Sequence, residues 1–131
     1  MSEGTIPAEL RYTKSHEWVR IEGDQMTVGI TDHAQSELTD IVYVDVTLKS
    51  KTFVAGAVVL VLESVKTVAD VLAPAEGTVT ALNTELSAHP EYINRSPYAE
   101  GWIFQMKTSG PIAPGTLLSA EEYRAFLSAG P

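Results

Sequence analysis

The chain reads as an all-β protein, a sandwich or small barrel of short strands. Three observations predict this. Its β-branched and aliphatic runs are brief, and turn-forming residues separate them about every ten positions. Apolar residues make up 44% of the 131 residues and charged ones 20%, a balance that suits one domain with its own core rather than a disordered chain. There is no cysteine, so packing alone must hold that core together.

Along the chain, residues 1–8 are small and polar and expected to be loose. Tyr12 to Ile21 alternates as a strand, and Glu22-Gly23-Asp24 turns it into a second strand, Met26 to Ile30. Thr31 to Leu38 makes one or two helical turns, with Asp32 as its cap and Gln35 completing a capping box. Ile41 to Val46 is the clearest β run, and Gly77 to Leu82 supplies another strand. The segments Gly23 to Ile30 and Glu76 to Leu82 share a faint glycine-then-Thr/Val pattern that would suit a two-halved sandwich. His89 to Asn94 is read as a short helix and Gly101 to Lys107 as a strand, and Gly110 to Gly115 breaks regular structure. A C-terminal helix over 119–128 follows, with Ser119 as cap and Glu122 reaching back to it.

Between Gly56 and Gly77 lies the most informative segment. Val58-Val59-Leu60-Val61-Leu62 and Val68-Ala69-Asp70-Val71-Leu72 flank Glu63-Ser64-Val65-Lys66-Thr67, which predicts a hairpin with Lys66 at its tip. A flexible amine on a rigid tip is what an attaching enzyme needs for a swinging prosthetic group. Yet most exposed hairpin lysines are solvated charges that blunt an edge, and geometry alone does not separate the two readings.

Bulk charge narrows the function. Nine Lys+Arg against 17 Asp+Glu give a net charge of −8, which argues against nucleic acid and suits docking onto basic patches of other proteins. Met1 to Leu10 hold no lysine or arginine, unlike a secretory signal or a transit peptide. The uncharged stretch Thr52 to Leu62 is far too short to span a bilayer. The expectation is a cytoplasmic protein without membrane contact, or a mitochondrial-matrix one only if a presequence has been removed.

No catalytic constellation emerges. His16 precedes Glu17 on what reads as a strand, where neighbouring side chains point to opposite faces. His33 lies in a helix start and His89 in a loop. With no nucleophile, phosphate-loop or zinc motif and no cysteine, neither catalysis nor a metal site is expected. Trp18 and Trp102 read as packing residues. The chain is expected to carry something rather than transform it.

The hairpin sequence Glu63-Ser64-Val65-Lys66-Thr67, with Asp70 and Ala73-Pro74 before Gly77, resembles the lipoyl-attachment segment of the glycine cleavage system H-protein family. Ser15-His16-Glu17-Trp18, Val28 to Gln35, Ile41 to Asp45, Ile93-Asn94, Ser96-Pro97-Tyr98 and Gly101 to Phe104 match that family's blocks in order. The terminal Leu117 to Tyr123 does too, so the resemblance runs from Leu10 to Leu127. Biotin carriers place the lysine between methionines, and lipoyl domains of 2-oxo acid dehydrogenases lack the Ser15 and Val28 blocks.

The resemblance implies a barrel-sandwich hybrid of the lipoyl/biotinyl kind: two antiparallel sheets, short helices and a C-terminal helix in a single carrier domain, 1–131. It implies lipoate joined covalently to Lys66 by a lipoate-attaching enzyme that reads Glu63. It implies a non-enzymatic, monomeric shuttle. That shuttle takes an aminomethyl group from glycine decarboxylase (the P protein) to the tetrahydrofolate-dependent aminomethyltransferase (the T protein), and its dihydrolipoyl group to dihydrolipoyl dehydrogenase (the L protein). Ser15, Glu17 and Asp70 match the family's polar cleft for the loaded arm, where carboxylates would attract a protonated amine. The chain departs from the family at Thr47 to Ser50, Arg95, Ala99 and Gly110 to Gly115, which bears on loop geometry and partner recognition. One rival is an H-like donor passing lipoyl groups to 2-oxo acid dehydrogenases. The other is a hydrolase using Glu17 with a histidine, which would keep its activity in a Lys66→Ala variant.

Overall fold

The computed structural model describes residues 5–48, 50–110, 112 and 116–129. Among these residues, nine strands form two antiparallel sheets, and three short α-helices flank them. The larger sheet runs β1 (Arg11–Tyr12), β2 (Glu17–Glu22), β3 (Gln25–Ile30), β9 (Phe104–Thr108), β8 (Gly77–Leu82) and β5 (Thr52–Phe53). The smaller runs β4 (Ile41–Val44), β6 (Val58–Ser64) and β7 (Val68–Leu72). Between them lies a core that includes Val19, Val28, Leu60, Leu62, Val71, Phe104 and Met106. A second cluster joins Leu10, Tyr12 and Trp18 to Tyr123 of the C-terminal helix α3 (Ala120–Ala129). The barrel-sandwich arrangement expected from the resemblance is the one observed.

Several local expectations change. Tyr12 to Ile21 is two strands, not one, because Thr13 N–H bonds Glu17 O (2.9 Å) and His16 N–H bonds Thr13 O (3.1 Å). Lys14-Ser15-His16 is thus a three-residue hairpin loop, with His16 at φ 74° in the left-handed position such loops require. The β2–β3 turn has two residues, and Gly23 (φ 65°) supplies its positive φ. Helix α1 (Asp32–Leu38) is capped by Thr31, whose hydroxyl accepts from Ala34 N–H; Asp32 instead takes Gln35 Nε2–H at 2.7 Å. The cap falls one residue early because Thr31 is the last extended residue (ψ 165°). The predicted helix over 89–94 is α2 (Tyr92–Arg95), preceded by an unpredicted 3₁₀ turn, Thr84–Ser87, capped by Asn83. Ser119 and Glu122 form the expected reciprocal cap of α3.

Of the leading segment, residues 1–4 lie outside the described residues, but Thr5 is tied down. Its N–H bonds Asp32 Oδ2 (2.9 Å), and its carbonyl accepts from Tyr98 OH. In the Thr47–Ser50 and Gly110–Gly115 loops, residues 49, 111 and 113–115 are likewise outside the described residues. The two faintly similar segments, β3 and β8, lie in one sheet on either side of β9. No helix among the described residues is long and apolar enough to cross a membrane.

The β8–β9 crossing is tight. A Cβ at Gly77 would sit 2.2 Å from the Lys107 carbonyl oxygen. Gly77→Ala must push two paired backbones apart, so a loss of about 3 kcal/mol is expected, at the top of the usual overpacking range. Urea unfolding checks it, and an unchanged midpoint would mean the pair separates freely.

Candidate functional site

Strands β6 and β7 form the predicted hairpin; Glu63 lies opposite Val68, and Ser64 N–H bonds Thr67 O (2.8 Å) one step further on, which leaves Val65 and Lys66 at the tip. Primed two-residue turns need positive φ, and among the described non-glycine residues only His16 and Thr39 have it. Ser64 provides another solution. Its hydroxyl accepts the N–H groups of Lys66 (3.1 Å) and Thr67 (3.0 Å) while donating to Thr67 O (3.1 Å). A serine side chain thus does the work of a turn carbonyl. The tip also leans on the end of α1 and the chain just after it: Val65 N–H donates to Asp40 O (3.0 Å), and the Lys66 ammonium lies 3.3 Å from Glu37 O. Val65, Lys66 and Thr67 are all exposed.

Glu63 is exposed on β6, flanked across the strands by Tyr43 and Val68. Those two side chains are 50% and 61% exposed, so two large apolar groups stand in solvent on either side of Glu63.

Glu17 is not a surface charge. It is 1% exposed, and Oε1 accepts from both Thr13 OH (2.5 Å) and Ser15 OH (2.6 Å). Oε2 accepts from Leu72 N–H (3.2 Å), on the free edge of β7. The carboxylate therefore ties the β1–β2 corner to the lysine hairpin. Burial pushes its pKa up, against the downward pull of the Ser15, Thr13 and Leu72 hydrogen bonds. Asp70 is exposed on the same strand, two residues before Leu72. Ser15 and Glu17 are thus brought into direct contact, whereas Asp70 makes no hydrogen bond to Glu17 among the described residues.

His16 and Glu17 do not share a site, but not for the strand-alternation reason, since His16 lies in the loop. Its Nδ1 meets Tyr123 OH (2.8 Å), which also bonds Thr31 Oγ1 (2.8 Å). Burial, then the neighbouring His33, lowers the His16 pKa. A neutral imidazole accepting from Tyr123, itself accepting from Thr31, satisfies all three groups. His89 pairs with Glu91 at the surface. Neither sequence pattern nor spacing pointed to Thr39 or Asn94, which shape the chain beneath the tip.

A two-sheet barrel-sandwich presenting one exposed lysine on a two-residue hairpin tip defines a carrier domain of the lipoyl and biotinyl class. Comparison with known proteins is specific within that class. The family model "Glycine cleavage H-protein" matches residues 10–130. A glycine cleavage system H protein of Methylacidiphilum infernorum (isolate V4) is 48% identical, over 93% of this chain and 95% of its own. One from Geobacillus kaustophilus (strain HTA426) is 47% identical, over 95% and 98%. The crystal structure of a glycine cleavage system H protein from Mycobacterium marinum superposes with a TM-score of 0.83 at 35% identity, covering 94% of this chain and 99% of that one. The chain belongs to the glycine cleavage H-protein family.

Proposed function

We propose that this chain is the lipoyl-bearing shuttle of a glycine cleavage system, with lipoate in amide linkage to Lys66 Nζ. The observation that carries the proposal is the placement of that amine: exposed, on a tip held by Ser64 and Asp40, at the attachment position of the family's motif. The residues fit the group, since Lys66 is exposed and an acylating enzyme can reach its amine. The lipoyl dithiolane supplies sulfur that takes up an aminomethyl group and is later reoxidised.

The chain's own part is to present and to shelter. Tethering turns separate encounters with the P, T and L proteins into visits by one arm at high local concentration. Net charge −8 favours encounter with basic patches on those partners. Glu63, exposed three residues before the lysine, is the side chain we assign to recognition by the lipoate-attaching enzyme. Ser15, Glu17 and Asp70 line the edge of β7 where a cationic cargo would rest. The protein itself catalyses nothing in this reading.

The test is intact mass and peptide mapping after incubation with lipoate, ATP and a lipoate ligase. A lipoyl-sized increment is expected on the peptide holding Lys66, and none in Lys66→Arg. An unmodified, folded wild-type protein would overturn the proposal.

A further inference from the structure

Thr39 is the most strained residue near the lysine. Its φ of 65° and ψ of −151° place a β-branched side chain where almost only glycine is found. Such a conformation persists only where the surroundings over-determine it. Here one side chain does so. Asn94, on α2, donates from Nδ2 to Thr39 O (2.8 Å) and to Gln35 Oε1 (2.9 Å), and its Oδ1 accepts from Ile41 N–H (2.9 Å). Gln35 is itself oriented by Asp32, and the buried neighbour Ile93 anchors α2 in the core. Asn94 thereby grips the chain on both sides of Asp40. The Asp40 carbonyl receives Val65 N–H at the tip, and the Glu37 carbonyl, one turn back in α1, receives the Lys66 ammonium.

We infer that Asn94 is a positioning residue for the Lys66 tip: it holds the Thr39–Ile41 corner so that Asp40 and Glu37 set where the amine is presented. The consequence for acylation rests on the proposed attachment at Lys66; the effect on the tip does not. A turn of two non-glycine residues without primed geometry has little rigidity of its own, so its second support matters. An amine already in place reduces the ordering that an attaching enzyme must impose on binding.

The test compares wild type, Asn94→Ala, the isosteric Asn94→Asp, and Asn94→Ala combined with Thr39→Gly, all unacylated. Asn94→Asp keeps an acceptor for Ile41 but turns oxygen toward Thr39 O and Gln35 Oε1. Hydrogen exchange at the Val65 amide is expected to quicken about five- to tenfold in both single variants, the scale of one lost hydrogen bond. Exchange at Val28 and Met106, in the large sheet, stays unchanged. Thr39→Gly restores part of the Val65 protection, because glycine adopts this φ and ψ without the steric penalty that threonine incurs. With a lipoate ligase, KM for the acceptor protein rises about fivefold while kcat stays within about twofold, the pattern of lost binding rather than lost chemistry. Wild-type exchange at Val65 in both single variants would overturn the inference. So would equal acceleration of all amides in Asn94→Asp, since Asn94 would then be a general stability residue. Absence of lipoylation in wild type would remove the proposed function yet leave the exchange result standing.

Discussion

Tyr123→Ala is expected to cost about 3–5 kcal/mol and to lower the melting temperature by roughly 10–15 °C. The ring is fully buried and stacks on Tyr12, with centroids 4.8 Å apart and planes within 8°. Removing it opens a cavity between α3 and the β1–β2 corner, where the backbones of Tyr12 and Leu118 are hydrogen-bonded in both directions and leave little room to collapse. The hydroxyl adds its own share. Burial pushes its pKa up to about 12, so it stays a neutral hydrogen-bonding group across the working pH range. Tyr123→Phe keeps the packing and strands Thr31 and His16, so its cost is expected to be nearer 1–2 kcal/mol. Chemical denaturation of both variants separates the two contributions, and equal losses would mean that the packing contributes little. Tyr123 also braces the loop that carries Ser15, so Tyr123→Ala is expected to disturb the Glu17 cluster while leaving lipoylation intact. The tip rests on α1 and α2 instead.

How much of this was legible in the sequence depends on the range of the interactions. The β6–β7 hairpin and the Ser119–Glu122 cap are written in adjacent residues, so pattern and spacing reveal them. The His16 corner was hidden because Thr13 to Glu17 contains no glycine, proline, asparagine or aspartate to mark a turn, and histidine is not a usual turn marker. The helix start shifted from Asp32 to Thr31 because both are good caps and only the backbone decides between them. Burial of Glu17 could not be read: a lone acid on a strand looks solvated, and its partners include a backbone N–H 55 residues away. Asn94 was visible only as part of a matching block. Its meaning depends on Thr39, which gives no sequence signal for positive φ. Strand β5 is two residues long, too short for any periodicity to show.

Glu17→Gln is expected to leave the fold intact while shortening the life of an aminomethyl cargo on the arm. Gln can still offer an oxygen to Leu72 N–H, and the Thr13 and Ser15 hydroxyls can rotate to accept from its amide. What is lost is negative charge. On the proposed role, an ionised Glu17 would attract a protonated amine, and losing a hydrogen bond to a charged group is expected to speed loss of the cargo to water about tenfold, followed as ammonia release. The pH dependence of stability gives an independent sign. Because the folded-state pKa of Glu17 is raised above its ordinary 4.5, the folded protein holds this proton more tightly than the unfolded chain does. Its contribution is then fully present below pH 4.5 and lost as pH rises through the folded value. Wild type should therefore lose stability relative to Glu17→Gln on going from acid toward neutral pH. On the proposed role, an arriving cation would reverse this by favouring the ionised form. Ammonia release as slow in Glu17→Gln as in wild type, with the pH difference present, would make Glu17 a clamp between β2 and β7 rather than a counter-charge.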